Sequence, residues 1–238
     1  MSASVETSPE CQTGRRVTTL DDAKFVALLE RLHRQDARRP WRFLSAGLPG
    51  LGDRLLGRSP SHEQQATRFR NLAIGLGPVA GRLAYLTARA IGARRIVEFG
   101  TSFGISTLYL AAAIRDNGGG VVIGSELEPT KIATARRNLA QAGLADFVEI
   151  REGNALQTLR DPGGIADMVL LDGWKDLYLP VLQLLEPHLR PGAVILADNI
   201  LMFKRALAPY VSYVERSENG YSSVILPVGT GLEYSVRL

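Results

Sequence analysis

From Arg95 onward, short apolar runs alternate with stretches of helical periodicity, and this alternation constrains the fold of the 238-residue chain more than any other feature. Ile96–Phe99, Val121–Ser125, Phe147–Arg151, Met168–Leu171 and Ala193–Ala197 read as five short strands. Helices are predicted from Ser106 to Arg115, over 129–142 with Gly143 as the stop, over Leu177–Leu189 and over Lys204–Arg216. Strands that take turns with helices predict a parallel sheet covered on both faces. The alternation then breaks. Ser222–Val228 and Leu232–Leu238 read as strands joined by Gly229-Thr230-Gly231, which is hairpin chemistry. The expected fold class is α/β: a doubly wound, mostly parallel seven-stranded sheet with a C-terminal antiparallel hairpin and N-terminal helices.

The N-terminal third is organised differently. Residues 20–35 place Phe25, Leu28, Leu29 and Leu32 at helical intervals, with Asp21 or Asp22 as the cap. Residues 40–61 carry Pro40, Pro49, Pro60 and several glycines and read as a loop. Because that loop also holds Trp41, Phe43 and Leu44, it is expected to act as a lid or dimer arm. Two more helices are predicted over 63–75 and 78–92, the second with Leu83, Leu86 and Ala90 on one face. The expected division is a flexible tail at 1–19, a helical lid or dimer arm at 20–75, and an α/β domain at 76–238.

Composition narrows the class. Cys11 is the single cysteine, so no intrachain disulfide forms and a reducing compartment is expected. Met1–Arg16 is polar, without a leader pattern, and the longest apolar runs are too short to span a bilayer. A cytoplasmic protein that makes no membrane contact is the expectation. The net charge of +4 is carried mostly by arginine, with Arg31, Arg34, Arg38, Arg39 and Arg42 grouped near Trp41 and Phe43. That group reads as a solvated helix face or subunit contact in preference to a nucleic-acid surface.

Two constellations carry chemistry. The first is Glu98-Phe99-Gly100-Thr101-Ser102-Phe103-Gly104-Ile105-Ser106, at the end of the first predicted strand. Gly100 and Gly104 let the backbone turn tightly and approach a ligand, while the following helix offers free N–H groups to an anion. A complete G-x-G-x-x-G is absent, which lowers a dinucleotide reading. Glu126, with Leu127 beside it, ends the second strand, where a carboxylate accepts both hydroxyls of a ribose. Gly153, Asn154 and Ala155 follow the third strand at the same sheet edge and suit an adenine. Together these features point to a nucleoside without choosing a cofactor. Glu128, beside Pro129, reads as a helix N-terminal residue.

The second constellation stands at two later strand ends, Asp172-Gly173-Trp174-Lys175-Asp176-Leu177-Tyr178 and Ala197-Asp198-Asn199. In an open α/β sheet the ligand crevice lies beyond the carboxyl ends of the strands, so Asp172 and Asp198 are expected to converge. With the amide of Asn199 they make an all-oxygen donor set suited to Mg²⁺. Lys175, three residues past Asp172, becomes a workable general base if burial and a nearby cation lower its pKa.

The segments EFGTSFGIST, SELEP, DGWKDLY and ADN, in this order and spacing, resemble the class I methyltransferases of the catechol and caffeoyl-CoA O-methyltransferase type. The resemblance covers about residues 75–238 and implies a Rossmann-like methyltransferase fold. Residue by residue, it implies S-adenosylmethionine contacts at Glu98, Gly100, Ser106 and Glu126, with Thr101, Ser102, Gly104, Leu127, Asn154, Ala155 and Asp172 completing the expected cofactor site. It implies Mg²⁺ ligation by Asp172, Asp198 and Asn199, and Lys175 as base. A small phenolic, catechol-like acceptor follows from it. One departure stands out: the catechol enzymes place a glutamate near the final hairpin, and alignment through Gly231-Leu232-Glu233 puts Val224 there. The rival readings are a metal-independent methyltransferase acting on RNA or another large acceptor, an NAD-dependent oxidoreductase, and a catalytically silent binding module.

Overall fold

A computed structural model describes residues 18–37, 61–68 and 75–238. Two N-terminal helices, α1 (Ala23–Ala37) and α2 (His62–Arg68), precede α3 (Pro78–Ala90). The sheet domain then runs β1 (Arg95–Phe99), α4 (Ile105–Asp116), β2 (Val121–Glu126), α5 (Pro129–Gln141), β3 (Val148–Glu152), α6 (Ala155–Thr158) and β4 (Ala166–Leu171). It continues through α7 (Tyr178–Leu185), β5 (Leu189–Ala197), α8 (Lys204–Val214), β6 (Tyr221–Leu226) and β7 (Leu232–Arg237). The seven strands lie in the order β3-β2-β1-β4-β5-β7-β6. The first five are parallel, and β7 enters antiparallel between β5 and β6. The expected sheet and terminal hairpin are therefore present.

The strands read as continuous apolar runs because successive side chains serve opposite faces of a sheet covered on both sides. Ile96, Val122, Met168, Leu170, Val194 and Leu196 enter a core shared with α1, α3 and α4. Their neighbours Val97, Ile123, Val169, Leu171, Ile195 and Ala197 enter a second core beneath α7 and α8. Outside these two cores, Asp116 at the end of α4 fastens the N-terminal segment, accepting from Thr19 N (2.9 Å), Thr19 Oγ1 (2.6 Å) and Tyr85 OH (2.7 Å). Asp22 caps α1 by accepting from the backbone of Lys24 and Phe25.

Three expectations need correction. The face of α3 carrying Leu83, Leu86 and Ala90 is not the buried one: Leu83 packs at the margin of the core and Leu86 is 59 % exposed, while Ala80, Gly81, Ala84, Tyr85 and Ala88 are buried. Small residues win this face because α4 packs so close that a Cβ at Gly81 would sit 2.3 Å from the Tyr109 ring. The helix expected over Leu177–Leu189 stops at Leu185, since Pro187 cannot continue it, and a 3₁₀ turn at Glu186–His188 follows. The fifth strand begins at Leu189, before Pro191 and Gly192, and its pairing with β4 shifts register between Ala166 and Met168. That irregularity absorbs the two breakers. The loop at 40–61 apart from Ser61, residues 1–17 of the tail with Cys11, the stretch 69–74, and Arg38, Arg39 and Arg42 lie outside the described residues. Among the described residues no helix is long and apolar enough to cross a membrane.

Candidate active site

The order of the parallel strands reverses between β1 and β4, and at such a switch point the loops leaving the strands on either side diverge and open a crevice. A cavity of about 970 Å³ occupies this position, lined at one end by Gly100, Ser102, Glu126 and Asn154 and at the other by Asp172, Lys175, Asp198 and Asn199. Each group is delivered by a strand end, so the sheet fixes their mutual positions. Gly100 makes the junction possible. It has φ 98°, and a Cβ there would lie 2.7 Å from the Asp172 carbonyl oxygen, so only glycine lets the β1 loop cross the β4 loop.

At the first end, Glu126 Oε2 accepts from Ser102 N (2.8 Å), and Oε1 accepts from Leu127 N (2.8 Å) and Glu128 N (2.9 Å). Three backbone donors thus hold the carboxylate at the cavity wall. Asn154 caps α6, accepting from Leu156 N at 3.0 Å, and Glu128 caps α5, accepting from Thr130 N at 3.2 Å. Of the residues expected at the cofactor, Gly100, Ser102, Glu126, Leu127, Asn154, Ala155 and Asp172 line the cavity. Glu98, Thr101, Gly104 and Ser106 do not, and stand behind the wall. Glu98 is fully buried and accepts from Thr101 Oγ1 (3.0 Å), Ser106 Oγ (2.6 Å) and Thr107 Oγ1 (2.6 Å). This carboxyl stitches the glycine loop to the start of α4. Burial raises its pKa, partly offset by the three hydroxyls. Ser102 is held at φ 50°, and among the described residues its buried Oγ has no hydrogen-bond partner.

At the second end, Asp172 is 5 % exposed, and among the described residues neither of its carboxylate oxygens has a hydrogen-bond partner. Lys175 Nζ stands 3.6 Å from Oδ1, an ion-pair distance too long for a hydrogen bond. Burial pushes the Asp172 carboxyl up to about 7; Lys175 opposes that shift while Asp198 and Glu98 add to it. Burial also raises Asp198 and lowers Lys175. Lys175 Nζ donates to Gly173 O (2.9 Å) and Tyr178 OH (2.8 Å), and Tyr178 OH donates in turn to Asp198 O (3.0 Å). The lysine is therefore anchored within the site and does not snorkel to solvent.

Asn199 adopts φ 70°, a left-handed conformation that Asn tolerates better than most residues. Its Nδ2 donates to Asp198 Oδ2 (2.9 Å) and to Thr230 Oγ1 (2.8 Å), and Thr230 Oγ1 donates to Asp198 Oδ1 (3.0 Å). With the amide nitrogen committed, the amide oxygen is left for a ligand. The group is two carboxylates and an amide, and no cluster of three or more His, Cys, Asp or Glu residues occurs among the described residues. Unpartnered buried oxygens on Asp172, mutual destabilisation of two carboxylates and a purely oxygen donor set fit a hard divalent cation.

Two contributors escaped the sequence reading. Thr230 sits in the hairpin turn, and only the long-range pairing of β7 with β5 brings it to Asp198. Lys131, on the first turn of α5, is 6 % exposed and lines the cavity, with burial lowering its pKa against the pull of Glu126, Glu128 and Asp172. Its place two residues after Pro129 at a strand-to-helix junction was the available signal. Val224 is 52 % exposed on the edge strand β6 and is not part of the cavity wall.

The family model described as a methyltransferase domain matches residues 97–200, which run from β1 to the residue after Asn199. The chain is 35% identical over 133 residues to a catechol O-methyltransferase of Niastella koreensis, covering 54% of this chain and 59% of that protein. Over this region the chain is similar to class I S-adenosylmethionine-dependent O-methyltransferases. A Mycobacterium tuberculosis catechol O-methyltransferase is 39% identical over 129 residues, covering 54% of this chain and 58% of the relative. The chain thus spans somewhat under three-fifths of the length of these curated relatives. Among solved structures, the O-methyltransferase TomG from Streptomyces achromogenes, in complex with SAM, superposes with a TM-score of 0.62 at 28% identity, over 75% of this chain and 91% of that one. In this chain, Glu126, Asp172, Lys175 and Asp198 all fall on strand ends or the loops leaving them.

Proposed function

We propose that this methyltransferase moves a methyl group from S-adenosylmethionine to a hydroxyl of a small catechol-like phenol, with Mg²⁺ bound by Asp172, Asp198 and Asn199. The observation that carries the reading is Asp172: a buried carboxylate with two unpartnered oxygens, 3.6 Å from an anchored lysine and in the same cavity as Glu126. The relatives named as catechol O-methyltransferases support the acceptor class. The SAM-bound neighbour supports the methyl donor. When bound, the cation supplies Lewis acidity that lowers the pKa of a coordinating phenol.

The chain's own residues do the rest. Glu126 holds the ribose, and Ser102, Leu127, Asn154 and Ala155 border the nucleoside. Lys175 in its neutral form donates its two N–H bonds to Gly173 O and Tyr178 OH, leaving its lone pair to take the phenolic proton. The phenolate oxygen then bonds to the sulfonium methyl carbon as the carbon–sulfur bond breaks, and its electron pair stays on sulfur as a neutral thioether. Positioning donor and acceptor in one cavity supplies several kcal/mol, up to roughly 7–11 in ideal intramolecular models. The division into an N-terminal lid or dimer arm at 20–75 and a methyltransferase domain at 76–238 belongs to the same proposal, as do a homodimer and a cytoplasmic location.

The deciding measurement is transfer of labelled methyl to a panel of catechols and caffeoyl-type phenols, in Mg²⁺ and in EDTA. Transfer lost in EDTA and restored by Mg²⁺ is the expected result. Transfer indifferent to EDTA would remove the metal and favour a large-acceptor enzyme.

A further inference from the structure

The acceptor end of the cavity holds one pair that the proposed function leaves without a task. His62, the first residue of α2, lines the cavity, and its ring stacks on Trp174 with centroids 6.1 Å apart and an interplanar angle of 27°. Its Nε2 lies 2.9 Å from Asp176 Oδ2, and Asp176 directly follows Lys175 in the chain. The two side chains are 34% and 67% exposed, and a pair this open contributes at most about 1 kcal/mol to stability. What it does supply is orientation. A carboxylate only accepts, so Nε2 carries a proton, and in the neutral imidazole Nδ1 is then left as a hydrogen-bond acceptor.

The rest of this end divides sharply. Asp172, Lys175, Asp198 and Asn199 gather the polar chemistry at one corner, while Trp174, Leu177, Met202 and Phe203 supply apolar wall. A second hydroxyl on an aromatic acceptor, if directed at that wall, would lose its hydration without a partner, at a cost of about 1–3 kcal/mol. Val224, the position where the resemblance expects a carboxylate for this purpose, is outside the wall.

We infer that His62, fixed by Asp176 and stacked on Trp174, recognises the acceptor: Nδ1 accepts a hydrogen bond from a second hydroxyl, and the imidazole and indole together hold the aromatic ring. The acceptor class is an aromatic diol or a phenol with a second donor group. This inference rests on phenolic methyl transfer as proposed above.

The test uses the full chain with S-adenosylmethionine and Mg²⁺, and compares 3,4-dihydroxybenzoic acid with 3-hydroxybenzoic acid. S-adenosylhomocysteine affinity is measured calorimetrically on every variant as a check on folding. His62→Phe keeps an aromatic ring and removes both nitrogens. It is expected to raise KM for the diol about tenfold while changing KM for the monophenol by less than about twofold. Asp176→Asn, which no longer fixes the proton on Nε2, is expected to raise the diol KM about threefold. It provides a second reading if His62→Phe fails to bind S-adenosylhomocysteine. Equal effects on both acceptors, or none, would overturn the inference while leaving methyl transfer intact. A wild-type protein that binds S-adenosylhomocysteine yet methylates neither acceptor would overturn the phenolic reading, and this inference with it.

Discussion

Glu98 and Asp172 stand near the carboxyl ends of neighbouring strands, both are deeply buried, and they are treated in opposite ways. Glu98 receives three hydroxyl donors, whereas the Asp172 carboxylate has the Lys175 ammonium at 3.6 Å but no hydrogen-bond partner among the described residues. An acid whose lone pairs are satisfied from within the protein is part of the scaffold. An acid left bare in a low-dielectric site costs free energy until something from outside completes it. The contrast separates a carboxyl completed on folding, behind the glycine loop, from one that is completed by what binds. Glu126 belongs to the first group in its fixation by three backbone donors, although its carboxylate still borders the cavity.

Substitutions can break or sharpen that contrast. The largest effect is expected from Lys175→Ala, a reduction in kcat of about 10²–10⁴-fold with S-adenosylhomocysteine affinity nearly intact. Steady-state kinetics beside calorimetry checks it, and a variant that turns over like wild type removes Lys175 as base. Asp198→Ala is expected to abolish Mg²⁺ stimulation and to lower activity by on the order of 100-fold. An Mg²⁺ titration of the variant that matched wild type would take Asp198 out of the ligand set.

On the finished side, Glu98→Gln is expected to cost about 1–2 kcal/mol in denaturant unfolding, because one hydrogen-bonded oxygen becomes a donor. The concentration of Mg²⁺ giving half-maximal activity stays where it was; a shift in it would mean the two carboxyls are coupled. The smallest effect concerns a third buried acid outside the cavity lining, Glu233, which accepts from Tyr210 OH and Ser235 Oγ. Burial raises its carboxyl to about 7, above the ordinary 4.5. The folded state therefore holds this proton more tightly, so stability is greatest below about pH 4.5 and declines as pH rises through 7. Glu233→Gln should flatten this decline, on the order of 1 kcal/mol in unfolding experiments between pH 5 and pH 8. An unchanged pH slope would show that the proton is not retained.

The sheet was largely readable in the sequence because burial on both faces leaves runs such as Met168–Leu171 with no polar interruption. Strand-end residues Glu126, Asp172 and Asp198 were readable for a related reason: a carboxylate directly after such a run is placed by the fold itself. Three kinds of information were not local. The inward face of α3 is chosen by the closeness of α4, so the small residues are buried and Leu86 is not. The start of β5 is masked by Pro191 and Gly192, whose irregular pairing is visible only with β4 alongside. Thr230 and the His62–Asp176 pair depend on contacts 32 and 114 residues apart in sequence, which no periodicity announces. Glu98 was assigned to the cofactor by resemblance, while its hydroxyl partners give it a place behind the wall.

The insertion of β7 between β5 and β6 also has a meaning in time. A ribosome delivers Gly100, Glu126 and Asn154 early, and their strands can pair as they emerge. Asp198 and Asn199 emerge before Thr230, the residue that pins them, and before β7, which covers the edge of β5. Until then the row Val194–Ala197 presents unpaired backbone and apolar side chains, a template for pairing with other chains. One late-arriving strand thus both covers the open edge of β5 and pins the Asp198–Asn199 corner of the cavity.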